Sequence, residues 1–172
     1  MTFRILAAAA LVALPHAASA ELKFAAADGM LIEHRFRIEA TTAKSWESLI
    51  HPERWWPADH TWSGRRESLS LVPEAGGCFC EKWGDGSAEH GRVIMAVPGK
   101  SLKLDAALGP FLDMAISGIL SIALTEEVGV TSAVVTYRVS GDGAHKLDGL
   151  APIVDQVIGQ QFGSFATHAA RR

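Results

Sequence analysis

The sequence is short of most features that would assign it quickly. It has no basic excess, since 16 Lys+Arg stand against 19 Asp+Glu for a net charge of −3. A nucleic-acid binder usually presents a basic face, so no nucleic-acid partner is expected. It contains no GxSxG, HExxH, P-loop or GxGxxG pattern, so the nucleophile-elbow, zincin and nucleotide-binding signatures are missing, and no cofactor is called for. Repeats, low-complexity linkers and shifts in composition are absent too, which argues against a second domain. After the first twenty residues no apolar stretch reaches the roughly 20 residues a membrane span needs. Residues 115–124 come closest and are interrupted by Ser117, Gly118 and Ser121.

Cysteine is scarce as well. Cys78 and Cys80, with one residue between them, are all there is, so a structural disulfide framework is missing. In a regular strand their Cα atoms would lie about 6.5–7 Å apart, at or beyond the disulfide limit, so the two are expected not to be bridged to each other. The pair reads either as a redox or metal pair or as two small strand residues, and the strand reading is the favoured one. A metal site drawn from His51, His60, His90, Cys78 and Cys80 has no recognised zinc spacing, and no metal is expected.

What is present begins at the N-terminus. Arg4 precedes an unbroken apolar run over residues 5–14, Pro15 breaks it, and Ala18-Ser19-Ala20 forms a small-x-small cleavage site before Glu21. Residues 1–20 are therefore expected to be a secretory signal peptide, leaving residues 21–172 as one periplasmic or secreted domain. Removal takes away Arg4 alone among the charges, for a net charge of −4, and leaves no membrane span. The chain does not specify an oligomeric state.

In the remainder, residues 31–39 alternate, with Ile32, His34, Phe36 and Ile38 on one face, as in a half-buried strand. Thr41 is placed to cap a short helix whose Ala43, Trp46, Leu49 and Ile50 share a face. A Trp-rich connection, Trp55-Trp56-Pro57 to Trp62, follows. Strands are then expected over 67–72, 78–83, 88–97, 102–108, 113–126 and 131–140, divided by Gly and Pro turn signals, as in an antiparallel meander. A closing helix, with Asp148 as N-cap and Pro152 in its first turn, carries the stripe Leu150, Ile153, Val154, Val157, Phe162 and Phe165. A sheet with helices on one side is an α+β architecture.

That order, with several short motifs, resembles the SRPBCC superfamily, also called START-like or birch-pollen-allergen-like, and within it bacterial proteins akin to the activator of Hsp90 ATPase. The resemblance is carried by Ile38-Glu39-Ala40-Thr41 leading to Trp46-Glu47, by Trp55-Trp56-Pro57-Ala58-Asp59-His60, and by Pro73-Glu74-Ala75-Gly76-Gly77 before Cys78-Phe79-Cys80-Glu81. His90-Gly91-Arg92-Val93, Leu108-Gly109-Pro110, Thr131 and Val154-Asp155-Gln156-Val157 also fit. It implies a helix-grip fold, a curved antiparallel sheet around a long C-terminal helix, with a cavity between them that takes lipids, sterols, polyketides or other apolar molecules; some members are cyclases or hydrolases. It carries no catalytic residue over to this chain. Export departs from the Hsp90-activator pattern, whose chaperone and ATP are cytosolic, and so argues against a co-chaperone role.

The residues themselves point to polar groups on apolar strand faces: His34 beside Ile32 and Phe36, Tyr137 between Val135 and Val139, and Glu81 turned inward with Phe79 and Trp83 if Lys82 faces water. A buried Glu would have a raised pKa and could act as an acid or base near neutrality; each of the three also reads as a satisfied core polar group. His51, Trp55, Trp56, His60 and Trp62 form a second cluster, placed to line a cavity mouth or simply to pack an irregular loop. The expected ligand-binding set is thus His34, Trp55, Trp56, His60, Glu81, Trp83 and Tyr137. Two functions follow: an exported binding protein for a small apolar or amphipathic molecule, or a cyclase- or hydratase-type enzyme using acid/base residues in the same cavity. The enzyme needs at least two of Glu81, His34 and Tyr137 to converge on one point. Enlarging Gly118 or Ala133, small residues on the inner face of the sheet, is expected to fill the cavity.

Overall fold

The computed structural model describes residues 19–171. The apolar run of the predicted signal peptide lies outside the described residues. Eight antiparallel strands form one curved sheet: β1 (Ser19–Ala26), β2 (Gly29–Ile38), β3 (Leu69–Leu71), β4 (Cys78–Trp83), β5 (Gly86–Val97), β6 (Ser101–Asp105), β7 (Ser117–Glu127) and β8 (Val130–Ser140). The sheet order is β1-β2-β8-β7-β6-β5-β4-β3. After β2 the chain crosses to the far edge through helix α1 (Thr42–Leu49) and the Trp-rich segment. It then meanders back to β8, which lies beside β2, and ends in helix α2 (Leu147–Ala170). The architecture is α+β, a helix-grip fold.

Local chemistry explains the elements. In β2, Met30, Ile32, His34, Phe36 and Ile38 are buried, as the alternation requires. Thr41 caps α1 by accepting from the Lys44 amide at 3.3 Å, and Trp46 and Leu49 are buried. The register sets Ile32 and Leu120 on either side of Tyr137, and Phe36 and Leu124 on either side of Ala133. One apolar layer therefore runs across the sheet centre beneath α2.

Several expectations are corrected. The sequence reading does not include β1, whose alternation is brief: Leu22 and Phe24 alternate with Glu21 and Lys23 before a run of alanines. Strand β7 starts at Ser117 because residues 109–114 form a 3₁₀ turn that ends with Ala115 in the left-handed region. Helix α2 begins after Lys146, itself left-handed, so Asp148 lies within the first turn and Pro152 in the second.

Cys78 and Cys80 are bridged to each other. The contrary expectation assumed a regular strand. Here β4 faces a bulge in β5, with Phe79 opposite Gly91 and Cys80 opposite Glu89, so His90 is an extra, unpaired residue. On this contracted stretch the two cysteine Cα atoms are only 5.4 Å apart, within bridging range. The bridge lies on the face of β4 opposite the buried Phe79 and Glu81.

Candidate functional site

Along one side of the N-terminal part of α2, away from the buried Leu147 and Ala151, the helix and sheet leave a gap. They enclose a cavity of about 380 Å³, within the range typical of small-molecule sites. One wall is α2, through Leu150, Val154, Val157, Ile158 and Gln161. The Trp-rich segment supplies Trp56, His60 and Trp62. The floor includes His90 and Tyr137, and the 3₁₀ turn adds Leu108 and Phe111. Trp62 and Ile153 line the cavity and are each about half exposed, which puts them at its mouth. The α2 stripe read from the sequence is thus two faces: Phe162 and Phe165 enter the packed core, and Leu150, Ile153, Val154 and Val157 face the space.

The polar groups are few and mostly committed. Glu81, fully buried, accepts the amides of Trp62 at 3.0 Å and Ser63 at 2.6 Å, and a third bond from His90 Nε2 at 2.9 Å. Burial alone would push its carboxyl pKa up. Hydrogen bonds from Ser63, Trp62 and His90 outweigh that and hold it below the ordinary value of 4.5. The expected raised pKa is therefore corrected: Glu81 is a fixed carboxylate that ties the Trp-rich segment to the sheet. It stands behind His90, the residue that reaches the cavity.

Tyr137 lines the cavity, but its hydroxyl is engaged twice, donating to Ala106 O at 2.9 Å and accepting from the Leu108 amide at 3.1 Å. Burial pushes its phenol pKa far up despite the Leu108 bond, so it stays neutral and anchors the 3₁₀ turn. Gly118 makes this possible. A Cβ there would sit 2.4 Å from Ala106 O and 2.8 Å from the Tyr137 hydroxyl. Gly118 and Ala133 are accordingly close-packing positions, and neither lines the cavity.

His34 is buried outside the cavity, with Nε2 2.8 Å from Asp155 Oδ1, clamping β2 to α2. Gly159 lets the helix pass over it, since a Cβ there would come within 2.7 Å of the ring. Trp55 packs on Phe162 and Phe165 and donates its indole N–H to Ser48 O at 2.9 Å, again outside the cavity. Trp83 is 36% exposed at the end of β4, folded over Gly86. The expected inward placement of Trp83 is thus not seen, because the burial alternation of β4 ends after Glu81 and the ring lies against the β4–β5 turn. Of the seven expected residues, Trp56, His60 and Tyr137 line the cavity, Glu81 backs it, and His34, Trp55 and Trp83 do not belong to it.

Two buried polar residues of the cavity lie outside the expected set. His90 is delivered by the bulge in β5, which breaks the strand period and leaves both His90 and Gly91 buried. Gln161 sits on α2 among Val154, Ile158 and Phe165, a polar side chain on an apolar stripe; that interruption was the available signal. It is 4% exposed, and its Nε2 lies 3.1 Å from His60 Nδ1. The other end of the amide, Oε1, is buried without a partner among the described residues. Away from this cavity, Cys78, Cys80 and Glu89 are close enough to share an ion, but both sulfurs are engaged in the bridge.

No protein-family model matches the sequence, and no curated protein matches it. Solved structures do. An uncharacterised protein from Rhizobium leguminosarum is 18% identical, with a TM-score of 0.59 over 91% of this chain and 100% of that one. A Rhodobacter sphaeroides protein is 16% identical, with a TM-score of 0.58 over 88% and 99%. StfQ, a di-domain ARO/CYC from the steffimycin biosynthetic pathway, is 13% identical, with a TM-score of 0.56 over 84% of this chain and 50% of that one. At these identities the likeness is one of fold, and it is the helix-grip arrangement already seen in the sheet and α2.

Proposed function

We propose that the chain is an exported binding protein, periplasmic or secreted, for a compact apolar or amphipathic molecule held between the sheet and α2. The observation that carries this reading is the largely apolar cavity of about 380 Å³ with one buried amide oxygen left unpaired in its wall. An apolar body entering it gains roughly 25 cal/mol per Å² buried. An unsatisfied buried acceptor costs about 1–3 kcal/mol, so a ligand hydroxyl that meets Gln161 Oε1, once the side chain turns to present it, gains affinity and orientation together. The fold StfQ shares is compatible with a small molecule in this place, but the reading rests on the cavity. Among the described residues no helix is long and apolar enough to cross a membrane. The enzyme reading in its expected form loses support, because His34 is clamped to Asp155 and the Tyr137 hydroxyl is saturated.

Two measurements test the proposal. Native mass spectrometry of protein taken from its own periplasm is expected to show a copurified small molecule. A thermal-shift screen of fatty acids, sterols and hydroxylated aromatics is expected to raise the melting temperature by mass action. No mass increment and no shift with any class would reject the reading. Recovery of the protein from the cytoplasm with residues 1–20 attached would reject the location.

A further inference from the structure

The cavity contains one imidazole whose chemistry is set by a buried partner. A carboxylate only accepts hydrogen bonds, and Glu81 is held as a carboxylate by three donors. His90 Nε2, 2.9 Å from Glu81 Oε2, must therefore carry the proton, and Nδ1 of the neutral ring is left with a bare lone pair. Nδ1 makes no hydrogen bond among the described residues, while the ring lines the cavity. Phe79 packs against the ring at 5.1 Å and restricts its rotation. The bulge that aims His90 and the carboxylate that fixes its tautomer thus act on the same nitrogen. A binding pocket alone needs neither, whereas a general base gains from both, an aimed nitrogen and a fixed tautomer.

We propose that the cavity is also a proton-abstraction site, with His90 Nδ1 as general base and Glu81 as the residue that positions it. The substrate class is a compact, largely apolar carbonyl compound with an acidic C–H beside the carbonyl and a hydroxyl to satisfy Gln161. The proton passes from carbon to Nδ1, and the C–H electron pair moves into the new C=C bond of the enolate. Glu81 stabilises the imidazolium, which returns the proton to another atom of the same molecule. The step is a tautomerisation, balanced without oxidant, reductant or cofactor. It rests on the cavity-binding reading above and assigns that cavity a reaction.

The test separates the two. The non-reactive isostere 5-nitroindazole, followed by calorimetry, reads binding. The probe 5-nitrobenzisoxazole reads base strength: loss of its ring C–H to a base forms a nitrile as the N–O bond breaks and releases a coloured phenolate. The protein is expected to bind the isostere and to eliminate the probe well above the buffer rate. His90→Gln should lower kcat about 100-fold or more while the isostere still binds. Glu81→Gln should lower kcat with little change in KM, as loss of tautomer control predicts. If Glu81→Gln does not fold, the ¹⁵N shifts of His90 in the unaltered protein decide the tautomer, and a proton on Nδ1 would overturn the proposal. Binding without elimination, or elimination that survives His90→Gln, overturns it and leaves the binding reading intact. Failure to bind the isostere or any member of the thermal-shift panel removes both.

Discussion

Helix α2 covers two unlike regions. Its C-terminal half sets Phe162 and Phe165 against Trp55 and Trp56, with ring centroids 5.5–6.4 Å apart, and leaves a void of only about 20 Å³. Its N-terminal half presents Leu150, Val154 and Val157 to a cavity of about 380 Å³. Both faces are apolar. They differ in side-chain size and in what stands opposite. Aromatics interlock with aromatics at one end, whereas at the other branched aliphatics face the Trp-rich segment, His90 and the Tyr137-anchored turn. The C-terminal half is packed throughout, whereas the N-terminal half packs through Leu147 and Ala151 on one side and borders an open apolar space on the other.

Substitutions in the two halves should therefore have opposite profiles. The largest effect is expected from Phe162→Ala in the packed half, a loss of about 3–5 kcal/mol in urea unfolding. Val157→Phe in the open half should abolish ligand-induced thermal shifts with little loss in the melting temperature of the free protein. Equal destabilisation by both would erase the distinction. Gln161→Leu removes an unpaired buried acceptor but also the Nε2 bond to His60 Nδ1, two opposing effects of about 1–3 kcal/mol each, so urea unfolding of the free protein should show a net change of less than about 1 kcal/mol.

Acid should act on the seam between the halves. The Glu81 pKa is lower in the folded chain than its ordinary value of 4.5. Its contribution to stability is thus fully present above 4.5 and is lost as pH falls through the folded value. Unfolding followed from pH 6 down to 3 should show a decline below 4.5 that Glu81→Gln flattens; an unchanged slope would contradict the carboxylate assignment. The smallest effect belongs to Trp83→Ala, which should leave ligand affinity unchanged by calorimetry because Trp83 stands outside both regions. Alkylation should label Cys78 and Cys80 only after reduction.

What was legible in the sequence follows the same division. The alternation of β2 and the stripe on α2 are periodic signals, and they gave the sheet, the helix and the side each buries. The inward set of β4 was also correct for Phe79 and Glu81, since a regular strand carries its facing along. The reading failed where the period breaks. The bulge at His90 adds one residue, re-aims a side chain and shortens the cysteine separation, and none of this is encoded in alternation. Nor does facing reveal partners. Glu81, His34 and Tyr137 are all buried as expected, but whether each is free or satisfied depends on Trp62, Asp155 and Ala106, which are distant in sequence. Gln161 was visible as a polar interruption of an apolar stripe, and its unpaired oxygen became apparent only once the cavity was placed beside it.

In the proposed function the open half binds an apolar molecule through the unpaired Gln161 oxygen. Calorimetric titration of the protein and of Gln161→Leu with 2-naphthol and with naphthalene, one ring system with and without a hydroxyl, tests it most directly. The protein is expected to bind 2-naphthol about tenfold or more tighter than naphthalene, a difference of about 1.4 kcal/mol, and Gln161→Leu to lose this preference while still binding naphthalene. Equal affinities in the unaltered protein, or no binding of either compound, would contradict it.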